Sequence, residues 1–253
     1  MTENGVRKFF AALSIIFAFE IDIIYLSYCL FSSLNFYQGG IFMKQYLDMK
    51  GLYLREVYVP DVYQKSIFTV DYERLWGCGI RLLTFDVDDT IVPLEHHSVD
   101  KTTIALFEKL KMMGFTIYLI SNNHSEHRIQ SISKRLGVPA ISSAGKPRTD
   151  SLQQILDAYY HLHGETIIPR QLMHTGNSIL SDVASGNVFG ATTCLVRNIG
   201  RLGRVIRIVR SKERELCHEL ERRGLWRKHH FGVKGDQYHQ LGKVHKMRRG
   251  HGL

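Results

Sequence analysis

Three carboxylates follow a short, predominantly apolar segment of this sequence. Residues 80–85 lead directly into Asp86, Asp88 and Asp89. Carboxylates this close repel one another unless a cation holds them. Hard cations such as Mg²⁺ prefer oxygen ligands and commonly accompany phosphate groups. The segment therefore predicts a strand that delivers carboxylates to a site for Mg²⁺ and phosphate.

Polar side chains follow a second apolar segment at residues 115–120 and a third, shorter one at residues 140–141. Residues 115–120 are followed by Ser121 and Asn122, whose hydroxyl and amide can donate hydrogen bonds to phosphate oxygens. Lys146 comes shortly before a predicted helix, and a lysine there can neutralise charge on a transferring phosphoryl group. Together with the carboxylates, these residues predict a phosphoryl-transfer site.

A fourth apolar segment, residues 172–175, is followed by Gly176 and Asn177, and Asp182 comes five residues after Asn177. Each of these motifs has an ordinary explanation when taken alone, since acidic clusters and Gly-Asn pairs are common in solvated turns. Their order after successive strands favours the functional interpretation. His174 is interpreted as a packed strand histidine.

Alternating strand and helix signals predict the elements that position these residues. The strands are predicted at residues 80–85, 115–120, 140–141, 172–175 and 192–196, and the helices at 98–113 with Ser98 as cap, 128–136, 152–162 and 211–223. Strands separated by helices of this length are typical of a parallel sheet covered on both faces. The predicted fold is a doubly wound α/β domain.

Little sequence separates the site residues. The segments between Thr90 and Ser121, and between Ser121 and Lys146, are filled by the predicted strands and helices. We therefore expect no cap domain over the site. An open site cannot enclose a small substrate and exclude water, so it suits phosphate groups presented on something large, such as a lipid in a membrane or a nucleic-acid end.

The four motifs resemble those of the haloacid-dehalogenase (HAD) superfamily. Asp86-Val-Asp88-Asp-Thr90 is similar to the first motif of that superfamily, DxDxT. The resemblance implies that Asp86 attacks phosphorus to form an aspartyl-phosphate, and that Asp88 protonates the leaving group and later activates water. It also implies that Thr90 steadies the turn at the phosphate site.

The other three motifs imply the phosphate and metal ligands. Ser121 with Asn122 is similar to the second motif, Lys146 to the third, and the segment from Asn177 to Asp182 to the fourth. By this resemblance the second and third motifs bind the phosphoryl oxygens. Mg²⁺ would be held by Asp86, Asp88 through its main-chain carbonyl, Asn177 and Asp182, where Asp182 either holds the ion through water or orients Lys146.

Residues 58–198 also resemble the YqeG-type branch of subfamily IIIA, including positions outside the catalytic motifs. Eukaryotic relatives of this branch are phosphatidylglycerophosphate phosphatases, so the resemblance implies a phosphorylated glycerolipid substrate. One position departs from the family pattern, which usually reads Gly-Asp where this chain has Gly176-Asn177. A neutral amide there predicts weaker Mg²⁺ binding, with reduced activity or a higher Mg²⁺ requirement.

The two ends of the chain differ from its middle. Residues 1–42 hold two apolar runs separated by Glu20 and Asp22, which leaves three interpretations: an interfacial or terminal helix, a membrane-spanning helix, or sequence upstream of a start at Met43. Residues 43–200 are expected to form the phosphatase domain. Residues 201–253 carry a net charge of +10, which accounts for the whole excess of the chain, and are expected to be partly helical or disordered.

The basic tail favours an anionic membrane surface as partner, although a solvated tail without a partner is the other interpretation. Four scattered cysteines fit a reducing compartment, so we expect a cytoplasmic enzyme, peripheral at the membrane. Two alternatives stay open: a nucleic-acid end phosphatase, and a non-catalytic binding module with a weakened metal site.

Overall fold

The described part of the chain builds one seven-stranded sheet. The computed structural model describes residues 50–200, 204–227 and 232–233. The interpretations of residues 1–42, and most of those of the basic tail, lie outside these residues. The strands are β1 Val62–Gln64, β2 Leu82–Asp86, β3 Thr116–Ile120, β4 Ala140–Ile141, β5 Leu172–Gly176, β6 Thr192–Val196 and β7 Gly232–Val233.

The order of the strands is β4-β3-β2-β5-β6-β1-β7. All neighbours from β4 to β1 are parallel, and β7 pairs antiparallel with β1 at the edge. From β2 the chain builds outward first through β3 and β4, and then on the other side through β5 and β6. Such a switch in direction opens a crevice at the carboxyl ends of the central strands. The predicted doubly wound α/β fold is confirmed.

Helices cover the sheet. They are α1 Lys50–Tyr58, α2 Tyr72–Gly77, α3 Lys101–Met112, α4 Glu126–Leu136, α5 Asp150–His163, α6 Ala184–Phe189 and α7 Arg204–Arg222. The prediction that Ser98 caps α3 was wrong: the Asp100 carboxylate accepts the Thr103 N–H at 2.6 Å and caps the helix. Gly137 ends α4 as predicted, with a left-handed backbone at φ 62°.

Successive side chains of β2 enter different cores. Leu83 and Phe85 join a cluster with Phe107 of α3, whereas Leu82 joins a cluster with Leu152 of α5. Every residue of β2 is buried. Burial on both faces explains why the segment reads as a nearly continuous apolar run rather than as an alternating one.

Helix α7 packs against the sheet through a third core. Its Cys217 and Leu220 are buried beside Tyr63 of β1 and Leu195 of β6. The helix begins at Arg204, seven residues before the predicted start at residue 211. Among the described helices, including this one, none combines the length and apolarity needed to cross a membrane.

Candidate active site

Asp86 ends β2 at the crevice and is 7% exposed. Its Oδ1 accepts a hydrogen bond from Lys146 Nζ at 2.7 Å, and its Oδ2 accepts one from the Thr90 hydroxyl at 2.8 Å. Burial raises the pKa of Asp86 above its ordinary value, Lys146 opposes that shift, and Asp182 adds to it. Both oxygens are thus held in fixed directions.

Lys146 joins the first and fourth strand ends. Its Nζ donates to Asp86 Oδ1, to Asp182 Oδ1 at 2.6 Å and to the Ile120 carbonyl at 3.3 Å. Burial by itself would lower the pKa of Lys146, but the Asp182 and Asp86 carboxylates raise it above its ordinary value. We call Asp86, Lys146 and Asp182 the ionic cluster.

Asn122 positions this lysine. Its Oδ1 accepts the Lys146 main-chain N–H at 2.8 Å, and its Nδ2 donates to the Lys146 carbonyl at 2.9 Å. Both polar ends of the amide are therefore taken up by the loop that follows β4. The sequence predicted that Asn122 and Lys146 both bind phosphoryl oxygens. In the structure the Asn122 amide is bonded to the main chain of Lys146 instead.

Asp182 lies against the end of β5. A Cβ atom on Gly176 would meet the Asp182 side chain at 2.2 Å, so only glycine fits there. Asp182 Oδ2 accepts the Ser178 N–H at 2.9 Å, and its Oδ1 lies 3.7 Å from Nε2 of His174. Burial would raise the pKa of Asp182, but Lys146 and His174 lower it below its ordinary value.

His174 supports the cluster from within the sheet. It is 1% exposed, and its Nδ1 lies 2.9 Å from the Thr84 hydroxyl. Burial lowers the pKa of this imidazole. The predicted packed strand position is confirmed, and the side chain also contacts Asp182.

Asp88 lies beside the ionic cluster and is held by three donors. Arg128 forms a salt bridge with its Oδ1, while the Ser121 hydroxyl and Asn123 Nδ2 donate to its Oδ2 at 3.2 and 3.1 Å. Arg128 also donates from Nε to the His96 carbonyl at 3.1 Å. The sequence did not single out Arg128. One signal was available, because Arg128 shares the buried face of α4 with apolar residues.

Asp89 stabilises the turn after β2 through hydrogen bonds to neighbouring loops. Its backbone is left-handed at φ 58°, and its Oδ1 accepts the Leu94 N–H at 2.8 Å. The main-chain carbonyl of Asp89 accepts the Ile199 N–H at 3.0 Å, and Asn198 Nδ2 donates to Asp89 Oδ2 at 3.3 Å. The third carboxylate of the motif therefore fastens the turn to the loop after β6.

Asn177 follows β5 and reaches the first strand end. Its Nδ2 donates to the main-chain carbonyl of Asp88 at 3.1 Å, and its Oδ1 accepts from Arg210 of α7 at 2.9 Å. Arg210 also donates to the Asn177 carbonyl at 2.7 Å and to Glu213 Oε2 at 2.5 Å. We call Asn177, Arg210 and Glu213 the amide bridge.

Glu213 anchors the amide bridge. It is 2% exposed, and its Oε1 accepts from the Ser178 hydroxyl at 2.6 Å and from the Ile179 N–H at 2.8 Å. The sequence did not single out Arg210 or Glu213. Both lie in residues 201–253, for which the sequence predicted only a net positive charge and a helix at 211–223.

The four residues predicted to bind Mg²⁺ differ in how well their arrangement suits a divalent cation. The Asp86 carboxylate and the Asp88 carbonyl are suitable oxygen donors, but Asn177 turns its NH₂ group, not its oxygen, towards the Asp88 carbonyl. Asp182 is engaged by Lys146 and Ser178. In the described ranges, no three His, Cys, Asp or Glu side chains are grouped to hold a metal ion. Asn177 would fit only with its amide turned over.

The structure thus brings the predicted residues into one region. Asp86, Thr90, Lys146 and Asp182 are linked by direct hydrogen bonds. Asp88 and Ser121 are bonded to each other beside them. Asn177 joins this region through the Asp88 main chain, and Asn122 joins it through the Lys146 main chain.

No family model matches the chain. Two solved phosphatase structures share 17% identity with it: the core domain of a putative phosphoglycolate phosphatase from Streptococcus pneumoniae TIGR4 and a probable yrbi family phosphatase from Pseudomonas syringae pv. phaseolica 1448a. The match to the first structure covers 53% of this chain and 95% of the matched chain, with a TM-score of 0.34. The match to the second covers 61% of this chain and 93% of the matched chain, with a TM-score of 0.35. At these scores the fold assignment depends on the sheet described above.

A curated relative matches more of the sequence. It is the probable phosphatase YqeG of Bacillus subtilis (strain 168), which is 28% identical over 172 residues. The match covers 68% of this chain and 96% of the relative. The chain is therefore similar, over two-thirds of its length, to almost the whole of a probable phosphatase.

Proposed function

We propose that the chain is a phosphatase of the HAD type that hydrolyses phosphomonoesters, with Asp86 as its nucleophile. One observation carries the proposal: the Asp86 carboxylate is held at the crevice between Lys146 and Thr90, with the Asp88 carboxylate two residues further on. The similarity to a probable phosphatase supports it. A nucleophile fixed beside a cation and an acid–base group suits phosphoryl transfer.

The reaction has two displacements. In the first, an Asp86 oxygen attacks phosphorus, the bond from phosphorus to the leaving oxygen breaks, and protonated Asp88 gives that oxygen its proton. In the second, Asp88 takes a proton from water, the water oxygen attacks phosphorus, and the bond from phosphorus to the Asp86 oxygen breaks, which releases inorganic phosphate and restores the Asp86 carboxylate. Lys146 lies beside Asp86, so it can offset the charge on the phosphoryl oxygens throughout.

The remaining residues orient these groups. The Ser121 hydroxyl, which now donates to Asp88, can turn to a phosphoryl oxygen of the substrate. Arg128 holds the Asp88 carboxylate through a salt bridge. Mg²⁺ bound to Asp86 and the Asp88 carbonyl would supply further neutralisation of the phosphoryl charge.

The proposed substrate is a phosphorylated glycerolipid such as phosphatidylglycerophosphate, presented by an anionic membrane. The segments between Thr90 and Ser121, and between Ser121 and Lys146, contain only loops, single helices and short strands. These two segments therefore add no cap domain, which favours a large substrate. The charge of +10 in residues 201–253 favours an anionic lipid surface on the cytoplasmic side.

A cavity next to Asn177 is a second argument for a substrate with an acidic lipid headgroup. Its volume is about 500 Å³, and Arg197, Arg210 and Arg214 line it. Ile179 and Leu195 add apolar surface. Cationic and apolar groups side by side suit an anionic headgroup attached to a glycerol backbone.

A phosphate-release screen tests the proposal. The substrates are phosphatidylglycerophosphate in mixed micelles, a 5′-phosphorylated oligonucleotide, sugar phosphates and a chromogenic phosphomonoester, all in buffer containing Mg²⁺. We expect the lipid to give the highest kcat/KM. Asp86→Asn should lose about 10⁴-fold or more in turnover, while Asp150→Asn, at an exposed ion pair, should retain it.

Two results would redirect the proposal. A higher kcat/KM for the oligonucleotide, with binding to DNA rather than to anionic vesicles, would indicate a nucleic-acid end phosphatase. Absence of turnover for the whole panel at every Mg²⁺ concentration would indicate a non-catalytic binding module.

A further inference from the structure

In the amide bridge, a direct hydrogen bond joins Asn177 to the Asp88 carbonyl, two groups that a bound metal ion would otherwise connect. Asn177 Nδ2 donates to the Asp88 carbonyl at 3.1 Å, which ties the end of β5 to the turn after β2. Two oxygen ligands at neighbouring corners of an octahedral Mg²⁺ ion lie about 3 Å apart. The side chain therefore reaches the ligand position, but it presents hydrogens there instead of an oxygen.

Arg210 fixes this orientation. It donates to Asn177 Oδ1 at 2.9 Å, so turning the amide over would set its NH₂ group against the guanidinium. The turned amide would also bring two oxygens together at the Asp88 carbonyl unless a cation lay between them. Both partners of Asn177 thus favour the same assignment of its oxygen and nitrogen.

Arg210 is itself held in place. Glu213 Oε2 accepts from it at 2.5 Å, and the other oxygen of Glu213 accepts from the Ile179 N–H at 2.8 Å. The Arg210 side chain is 16% exposed and that of Glu213 is 2% exposed. The guanidinium cannot leave Asn177 without also losing a buried carboxylate partner.

We propose that Arg210 sets the metal affinity of the site: it holds Asn177 in the orientation that donates to the Asp88 carbonyl, so a divalent cation binds this corner only weakly. Arg210 acts through Asn177 and is a positioning residue. The proposal concerns metal binding in the resting protein. It can therefore fail while the phosphatase reaction stands, and it can hold if the chain proves not to be a phosphatase.

The test is Mg²⁺ binding to the full chain by isothermal titration calorimetry, with Mn²⁺ binding followed by electron paramagnetic resonance of the free ion. Arg210→Met frees Asn177 to turn its oxygen towards the ion. A hydrogen bond to a charged group corresponds to about 10- to 100-fold in an equilibrium constant, and we expect both ions to bind more tightly by that factor. Arg214→Met is the matched control, because Arg214 is an exposed arginine of the same helix that also lines the cavity.

Two further variants protect the test. Arg210→Gln keeps a donor for Glu213 and serves if Arg210→Met fails to fold. Asn177→Asp places a carboxylate oxygen at the metal corner whatever its partner, and we expect it to bind Mg²⁺ more tightly than the wild type.

Three outcomes would overturn the proposal. One is wild-type Mg²⁺ affinity as high as that of Asn177→Asp. Another is an unchanged affinity in a folded Arg210 variant. The third is an equal gain in Arg214→Met, which would trace the effect to overall charge and not to the orientation of the amide.

Discussion

The ionic cluster and the amide bridge hold neighbouring strand ends by different means. In the ionic cluster, Lys146 lies between the buried carboxylates Asp86 and Asp182 and is the cation that both of them share. In the amide bridge, the neutral amide of Asn177 and the mostly buried Arg210, which is paired with Glu213, tie α7 to the turn after β2. Loss of Lys146 leaves two buried carboxylates without their cation, whereas loss of the Asn177 amide removes only hydrogen bonds and leaves the Arg210–Glu213 ion pair in place. We therefore expect the ionic cluster to decide whether the protein folds and works, and the amide bridge to adjust it.

Lys146→Met should have the largest effect on stability. It leaves Asp86 and Asp182 buried without their shared cation, and breaking a buried ion pair costs about 3–5 kcal/mol. We expect the free energy of unfolding, measured by denaturant titration, to fall by that amount, and phosphate release to be lost. Lys109→Met is the control, since its ion pair with Glu73 is exposed and worth about 0–1 kcal/mol. Equal losses in the two variants would contradict the role given to the cluster.

Arg128→Gln tests the group that orients Asp88. The variant removes the salt bridge while keeping a polar side chain, and we expect kcat to fall about 100-fold, the lower range for losing acid–base catalysis. The loss should grow with the pKa of the leaving group, because a poor leaving group depends most on the proton from Asp88. Arg135→Gln, an exposed position on the same helix, should retain kcat. A loss that is equal for all leaving groups would reduce Arg128 to a structural role.

Glu213→Gln tests the anchor of the amide bridge. The amide cannot accept from Arg210, Ser178 and Ile179 all at once, and leaving one buried donor poorly satisfied costs about 1–3 kcal/mol. We expect the unfolding midpoint to fall while kcat changes only a few-fold. Glu215→Gln, an exposed neighbour on α7, is the control. An unchanged midpoint in Glu213→Gln would show that α7 is held to the sheet by its apolar face alone.

The two regions also differ in how far the sequence predicted them. Asp86, Ser121 and Lys146 each follow an apolar strand, so a local pattern was sufficient to place them at one edge of the sheet. Arg128 and Arg210 lie on helices and follow no strand end, and a helical arginine carries no local sign of its partner. Arg210 was counted only as charge in a basic tail.

The same reasoning explains the elements that were missed. Strand β1 is three residues long and pairs with β6, which lies far along the chain. A strand so short has no periodicity to detect, and its pairing depends on the rest of the sheet. Helix α7 was predicted to start too late because four of residues 204–210 are valine or isoleucine, whose β-branched side chains have a lower helix propensity.

The smallest effect is expected at the cavity beside the amide bridge. Arg197 and Arg214 line it and are exposed, so solvent screens each of them. Each charge near an anionic lipid surface is worth about 1 kcal/mol, which corresponds to about a fivefold change in an equilibrium constant. We expect Arg214→Met to raise KM for phosphatidylglycerophosphate by about that factor, and the double variant with Arg197→Met to raise it further.

The specificity of that effect is what links the cavity to the substrate. A chromogenic phosphomonoester has no acidic group besides the phosphate that is hydrolysed, so its KM should not change in either variant. The kcat should be preserved for both substrates. Arg222→Met, at an exposed pair with Glu219 on the same helix, removes an equal charge away from the cavity. If it raised KM for the lipid as much as Arg214→Met does, the arginines would act through the field of the whole surface. The amide bridge would then differ from the ionic cluster only in its contact at Asn177, and the cavity would have no part in substrate selection.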